Sequence, residues 1–449
     1  MMGPMGEHSG AGAPRWDVPA GTVLGRRDDG VLRATGIRYA TAGRFERPVP
    51  EPPAAEPIDA TSWSPACPQE PVELLDRLLI DPQGGLTADE HCQHVSVTLP
   101  EGAGPGDALP VMVWIHGGSY TAGAGDAPVF DVAPLVREQD VVVVSVTYRL
   151  GLFGYLGGGD RPANLGLWDQ IEALRWVRRN IAGFGGDPDD VTLFGHSAGG
   201  DAIAHLMIAD GTRGLFRRAI VQSAPLGISR GRAGMSRAMA EAARELDPHS
   251  SAEDIVAAQP GVVRRAGVSG LKAAMPFGTQ YGHPPLPAED EVDDAWAAAA
   301  PDVDVLIGHT SRETALFVSV VPGLAAVLGV PVLGRRLGEQ VVRATTRRVY
   351  ADAAAGFALR HRRGGGRGYR YTVSWGAPGS PYVGAHMVEL PLLFGTRSSW
   401  DGAALIAGAQ WSDVAARGRE LRAIWAGFAR TGEAEPVAVP GFLDLHRIP

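Results

Sequence analysis

Apolar residues fall along the chain in short blocks separated by turns. Six blocks read as buried strands that each run into a loop: Val111–Ile115, Val141–Val146, Val191–Phe194, Arg218–Gln222, Val303–Ile307 and Tyr369–Trp375. Helical patterns lie between them. Leu167, Ile171, Leu174, Val177 and Ile181 recur at 3.6-residue spacing, with Asp169, Glu172, Arg175 and Arg178 around the rest of the turn. Trp411–Thr431 predicts a second long helix. Strand–helix alternation implies an α/β fold with a central, mostly parallel sheet flanked by helices. From Val18 to Pro53 short β-like runs alternate with Gly and Pro turns, which predicts an N-terminal antiparallel ribbon. Residues 230–300 are Ala-rich and weakly patterned, an expected helical excursion off the sheet. His361–Gly368 is basic and Gly-rich, and reads as a solvated turn. Residues 1–17 read as disordered and 18–449 as a single domain.

Composition narrows the function. Gly 60 and Pro 35 in 449 residues suit a chain of many turns rather than a helical bundle. The net charge of −9 argues against a nucleic-acid or anionic-membrane surface. No apolar run reaches 18 residues, since Arg149 interrupts the stretch from Val141 to Leu156, so no membrane span is expected. The first fourteen residues lack a basic start and an apolar core of the secretory kind. The expectation is a cytoplasmic monomer. Two cysteines, Cys67 and Cys92, are too few for a disulfide scaffold.

The candidate chemistry starts at Gly195-His196-Ser197-Ala198-Gly199, a G-x-S-x-G nucleophile elbow. With 20 serines and 60 glycines, chance alone supplies about a third of such a match, and a second one exists at Gly227-Ile228-Ser229-Arg230-Gly231. Context separates them. Ser197 follows an apolar strand and opens a helical run, whereas Ser229 has neither flank and reads as a loop serine. Upstream, Val111–Ile115 runs into His116-Gly117-Gly118-Ser119-Tyr120, the form of a loop whose backbone N–H groups stabilise an oxyanion. The elbow's usual order then places an acid and a histidine downstream of Ser197. Of the twelve histidines, His361 sits among arginines that disfavour an imidazolium, and His446 is expected to fray at the chain end. His386, in the loop after Tyr369–Trp375, remains. Glu313, just beyond Val303–Ile307, is placed better than Asp302 or Asp304 to be the acid.

Several longer segments extend the match: Gly36-Ile-Arg-Tyr-Ala40, Tyr148-Arg-Leu-Gly-Leu-Phe-Gly154, Asn164-Leu-Gly-Leu-Trp-Asp-Gln-Ile-Glu-Ala-Leu-Arg-Trp-Val177, Asn180-Ile-Ala-Gly-Phe-Gly-Gly-Asp-Pro188, Gly214-Leu-Phe-Arg-Arg-Ala-Ile-Val-Gln-Ser223 and Trp425-Ala-Gly-Phe-Ala-Arg-Thr-Gly432. With them the chain resembles the type-B carboxylesterases, α/β-hydrolases that include cholinesterases and bacterial para-nitrobenzyl esterases. The resemblance covers residues 18–449. It implies hydrolysis of a small to medium carboxylic ester through an acyl-enzyme, without metal or cofactor. By it Gly118, Ser119 and Ala198 supply oxyanion N–H groups, Glu313 is the acid and His386 the base. Ser223 matches a family serine near the catalytic histidine, or simply ends a core strand.

The departures are informative. The family usually carries an acid before the nucleophile; here it is His196, which either gains charge as pH falls through 6 to 7 or packs neutral under the elbow. Ser119 replaces the third glycine of the oxyanion loop. Segments near 230–300 and 315–370 are lean, which suggests an open site. Cys67 and Cys92 align with a family disulfide, with free thiols an equal reading. His91-Cys92-Gln93-His94 could form a metal cluster, but alternation through Leu99 makes it a strand whose neighbours face opposite sides. A non-catalytic binding protein on this fold is the alternative class, and retention of all three triad residues favours the enzyme.

Overall fold

The computed structural model describes residues 13–318 and 333–449. The six apolar blocks form the parallel centre of one sheet of eleven strands among the described residues. In chain order these are β1 (Arg26–Asp28), β2 (Val31–Arg38), β3 (His94–Pro100), β4 (Leu109–Ile115), β5 (Val142–Thr147), β6 (Gly186–His196), β7 (Arg218–Gln222), β8 (Asp304–Thr310), β9 (Gly368–Val373), β10 (Val437–Val439) and β11 (Leu443–Arg447). Across the sheet the order is β10-β11-β9-β8-β7-β6-β4-β5-β3-β2-β1. Pairing is parallel from β5 through β4, β6, β7 and β8 to β9. Both edges are antiparallel.

The central strands are apolar on both faces because helices cover both. Successive side chains point to opposite sides of a strand. Val111, Val113 and Ile115 of β4 therefore join one core layer, with Ile171, Leu174 and Val177 of the helix Leu165–Asn180. Met112 and Trp114 join the other, with Leu421, Trp425 and Phe428 of the helix Trp411–Thr431. Trp114 is the centre of that second layer, edge-on to Phe394 at 4.6 Å between centroids and tilted on Phe194 at 5.0 Å. Truncating such a buried aromatic costs about 3–5 kcal/mol. The Trp114–Phe394 contact also pins the segment that follows His386.

The ends of the elements differ from the sequence reading in four places. Of residues 1–17, the first twelve lie outside the described residues, while Arg15–Val18 is a strand paired with Gly21–Leu24. The N-terminal ribbon divides: that hairpin stands apart, and β1 and β2 extend the main sheet. The basic run at 361–368 is no solvated turn. His361 to Arg363 end the helix Asp352–Arg363, His361 is buried, and its Nε2 lies 3.1 Å from the Arg367 carbonyl. His446 is held in β11 opposite Arg370, so it does not fray. Residues 230–300 contribute the helices Ala233–Ala242, Ala252–Arg265 and Val292–Ala299.

Candidate active site

Ligand sites in open parallel sheets form at the carboxyl ends of the strands, and the predicted residues gather there. β6 ends at His196, and the helix Ala198–Leu206 starts two residues later. Ser197 makes the turn with φ 59° and ψ −123°, a strained conformation for a residue with a side chain. The turn is tight enough that a Cβ at Gly199 would lie 2.0 Å from the Ile115 carbonyl, so only glycine fits. The loop after β4 approaches from the other side. Gly118 has φ +118°, and a Cβ there would meet the Ala122 carbonyl at 2.0 Å. Ser119 occupies the left-handed region at φ 56°. Gly118, Ser119 and Ala198 thus sit on the two backbone segments that flank Ser197.

Glu313 lies in the turn after β8, and His386 in the loop after β9. The structure brings them together: His386 Nδ1 is 2.5 Å from Glu313 Oε2, and Glu313 Oε1 accepts the Thr310 N–H at 2.7 Å. The His386 N–H also reaches the Glu313 carbonyl at 3.2 Å. Both side chains are buried. Burial raises the Glu313 pKa, but the charge and hydrogen bond of His386 outweigh it, and the carboxyl is held below its ordinary value. Glu313 is therefore an anion behind the imidazole. Phe317 and Tyr350 flank the His386 ring, each at 5.6 Å.

A second buried carboxylate was not singled out in the sequence. Glu389, three residues after His386, accepts the Ser223 hydroxyl at 3.0 Å and lies 3.6 Å from His196 Nε2. Burial and the repulsion of Glu313 push its pKa up to about 7. The two carboxyls are thus driven apart, one ionised and one poised near neutrality. The only hint in the sequence was a lone acid inside the apolar run Val388-Glu389-Leu-Pro-Leu-Leu-Phe394. The His196 ring lies 4.4 Å from the His386 ring, tilted by 41°, and is buried. Burial and the His386 charge push its pKa well below the ordinary histidine value, so the expectation that it gains charge between pH 7 and 6 does not hold.

Ser197, His196 and His386 line a cavity of about 350 Å³. Its walls are mostly apolar: Leu75 of the short helix Glu73–Leu78, Leu79, Phe130, Leu316, Phe317 and Leu390. Asp76 and Asp81 are the carboxylates on its lining, among the described residues. A larger groove of about 620 Å³ lies beyond Gln69 and Pro71, but none of the predicted site residues line it.

The remaining candidates fall elsewhere. Ser229 is buried, and its hydroxyl donates to Asp201, which leaves it no role as a nucleophile. Cys67 and Cys92 are free, buried thiols in contact, and burial with the Cys67 contact pushes Cys92 far up. Among the described residues no three His, Cys, Asp or Glu side chains are grouped to share a metal ion. No helix among them is long and apolar enough to cross a membrane.

The model of the carboxylesterase family matches residues 13–327. A probable N-octanoylanthranilate hydrolase of Rhodococcus erythropolis is 37% identical over 437 residues, covering 96% of this chain and 95% of that protein. The para-nitrobenzyl esterase of Bacillus subtilis is 34% identical over 467 residues, with 93% and 90% covered. Among solved structures, a thermophilic PNB esterase superposes with a TM-score of 0.80 at 28% identity, and a PNB esterase with 0.79 at 30%; each covers 98% of both chains.

Proposed function

The chain belongs to the carboxylesterase family and is a carboxylic ester hydrolase with the α/β-hydrolase fold, and we propose that Ser197, Glu313 and His386 are its catalytic triad. The observation that carries this reading is His386, bonded from behind by Glu313, lining the same cavity as the strained Ser197. Ser197 Oγ attacks the ester carbonyl while His386 takes its proton, and Glu313 orients the imidazole and stabilises its charge. The carbonyl oxygen becomes an oxyanion held by the N–H groups of Gly118, Ser119 and Ala198. Collapse of the tetrahedral intermediate expels the alcohol, protonated by His386, and leaves the acyl-enzyme. Water activated by the same histidine then releases the acid.

The apolar walls support a small to medium acyl group as substrate. Relatives named for an octanoyl amide and a para-nitrobenzyl ester support the same range. The reading includes a single chain working in the cytoplasm, with sedimentation as the check on its oligomeric state. Labelling with a fluorophosphonate followed by peptide mass spectrometry tests the nucleophile. One adduct on Ser197 is expected; an intact Ser197 in inhibited enzyme would overturn the assignment.

A further inference from the structure

The oxyanion pocket of the proposed mechanism is built from two backbone segments far apart in the chain. One is the loop that carries Gly118 and Ser119; the other is the start of the helix Ala198–Leu206. Their donors work together only if the segments keep their spacing, because a preorganised pocket loses its effect when a donor moves. The loop needs an external restraint. Ser119 stands where the related pattern has glycine, and Ser119 and Tyr120 are consecutive non-glycine residues in the left-handed region, at φ 56° and 61°.

The restraint is visible next to the pocket. Tyr120 follows Ser119 directly, and Asp201 lies three residues beyond Ala198 in the first turn of the helix. Both are fully buried, and the Tyr120 hydroxyl donates to Asp201 Oδ2 at 2.7 Å. The other carboxylate oxygen, Oδ1, accepts the Ser229 hydroxyl. One turn further on, His205 Nδ1 contacts the Asp201 carbonyl at 2.6 Å, and its Nε2 meets the Tyr281 hydroxyl at 2.6 Å. A buried carboxylate is tolerated only when such donors surround it, and once surrounded it is a rigid anchor. The second G-x-S-x-G serine thereby acquires a purpose: it fixes the carboxylate that holds the loop.

We infer that Tyr120 and Asp201 are positioning residues that clamp the two halves of the oxyanion pocket together, with Ser229 setting the Asp201 carboxylate. The inference rests on the assignment of Gly118, Ser119 and Ala198 as oxyanion donors. The clamp touches no substrate. It acts by keeping the donors where the tetrahedral oxygen forms, so its loss should be felt in the transition state and hardly in substrate binding.

The test compares Tyr120→Phe, which deletes only the hydroxyl, with Asp201→Asn and the double variant. Steady-state kinetics on a p-nitrophenyl ester should show kcat reduced about 10- to 100-fold in Tyr120→Phe, with KM changed less than about 3-fold. The Ki of an alkyl trifluoromethyl ketone, which adds to the serine as a tetrahedral oxyanion, should rise by the same factor as kcat/KM falls. The Ki of the non-adding thioether alcohol of the same chain length should stay constant. The double variant should be no worse than the poorer single one, because both remove one interaction. Ser229→Ala should move the same quantities in the same direction by a few-fold. Wild-type kcat and ketone affinity in a folded Tyr120→Phe would overturn the clamp, as would equal loss of affinity for ketone and alcohol. Should Asp201→Asn fail to fold, Tyr120→Phe and Ser229→Ala decide alone. Fluorophosphonate labelling separates the levels: Ser197 labelled in wild type and slowly in Tyr120→Phe is the expected result, whereas no label in wild type removes the underlying site assignment instead.

Discussion

Glu389→Gln probes the electrostatics behind the triad, because it removes one ionisation and little volume. Glu389 is buried against Glu313, and its pKa rises from an ordinary 4.5 to about 7. Each pKa unit is worth 1.36 kcal/mol, so the shift corresponds to roughly 3 kcal/mol of folding free energy. The sign follows from proton counts. Below pH 4.5 the carboxyl is protonated in both folded and unfolded chains, and its contribution to stability is fully present. Between pH 4.5 and about 7 only the unfolded chain ionises, so stability falls; above about 7 the loss is complete. Glutamine has no such titration. Urea unfolding of both proteins from pH 4.5 to 8.5 should therefore show the variant gaining roughly 3 kcal/mol on the wild type across that window, then a constant difference. Loss of the Ser223 contact adds an offset that does not vary with pH. Activity gives a second reading: above pH 7 the ionised Glu389 favours the imidazolium of His386, so the variant should be several-fold slower at pH 8 and nearly equal at pH 6. A stability difference that is flat from pH 4.5 to 8.5 would refute the argument, since it would mean that Glu389 ionises like an exposed carboxylate.

Ser197→Ala and His386→Ala should each lower kcat by about 10⁴- to 10⁶-fold without unfolding the chain, and Glu313→Gln by about 10⁴-fold, with losses that do not add in combination; near-normal turnover in Glu313→Gln would move the acid elsewhere. His196→Gln should leave the midpoint of the acid limb of the pH–rate profile where it is in the wild type, because His196 is neutral throughout that range; a displaced midpoint would show that it titrates. Thiol titration in denaturant without reductant should find two thiols, matching the free Cys67 and Cys92. Finding none would establish a bridge closing about 25 residues, worth about 3 kcal/mol in the chain-entropy model.

The centre of the sheet was readable because its strands are apolar on both faces and short, a pattern that amphipathic helices do not imitate. Arg218–Gln222 and Trp411–Thr431 have the ends the pattern predicts, the latter closed by Gly432 at φ 72°. Reading failed where a tertiary contact overrides local composition. The run from His361 to Gly368 looks solvated because it is basic, yet the helix delivers His361 to a buried acceptor. β1 and β2 look like part of a separate ribbon, and only the pairing of β2 with β3, and of β1 with β2, shows that they extend the main sheet.

The same division runs through the site. Ser197, its flanking glycines, Glu313 and His386 are legible because each must follow a strand end, a constraint written within a few residues of each position. The electrostatic setting is not local. His196 adjoins the nucleophile, and the carboxyl that faces it, Glu389, comes from 193 residues downstream. Ser119 lies in the loop after β4, and Asp201, which accepts from its neighbour Tyr120, lies in the helix Ala198–Leu206. Both places thus involve a buried carboxylate supplied by a distant part of the chain. A carboxylate there is costly unless it is paired. The donors found for these two are hydroxyls: Ser223 for Glu389, and Tyr120 and Ser229 for Asp201. A second carboxylate placed beside either one would make its ionisation costlier, so His196→Glu should push the pKa of Glu389 further up. Following the stability–pH window of Glu389 in that background would show it: the upper end should move above pH 7, and an unmoved window would mean that the two sites are independent.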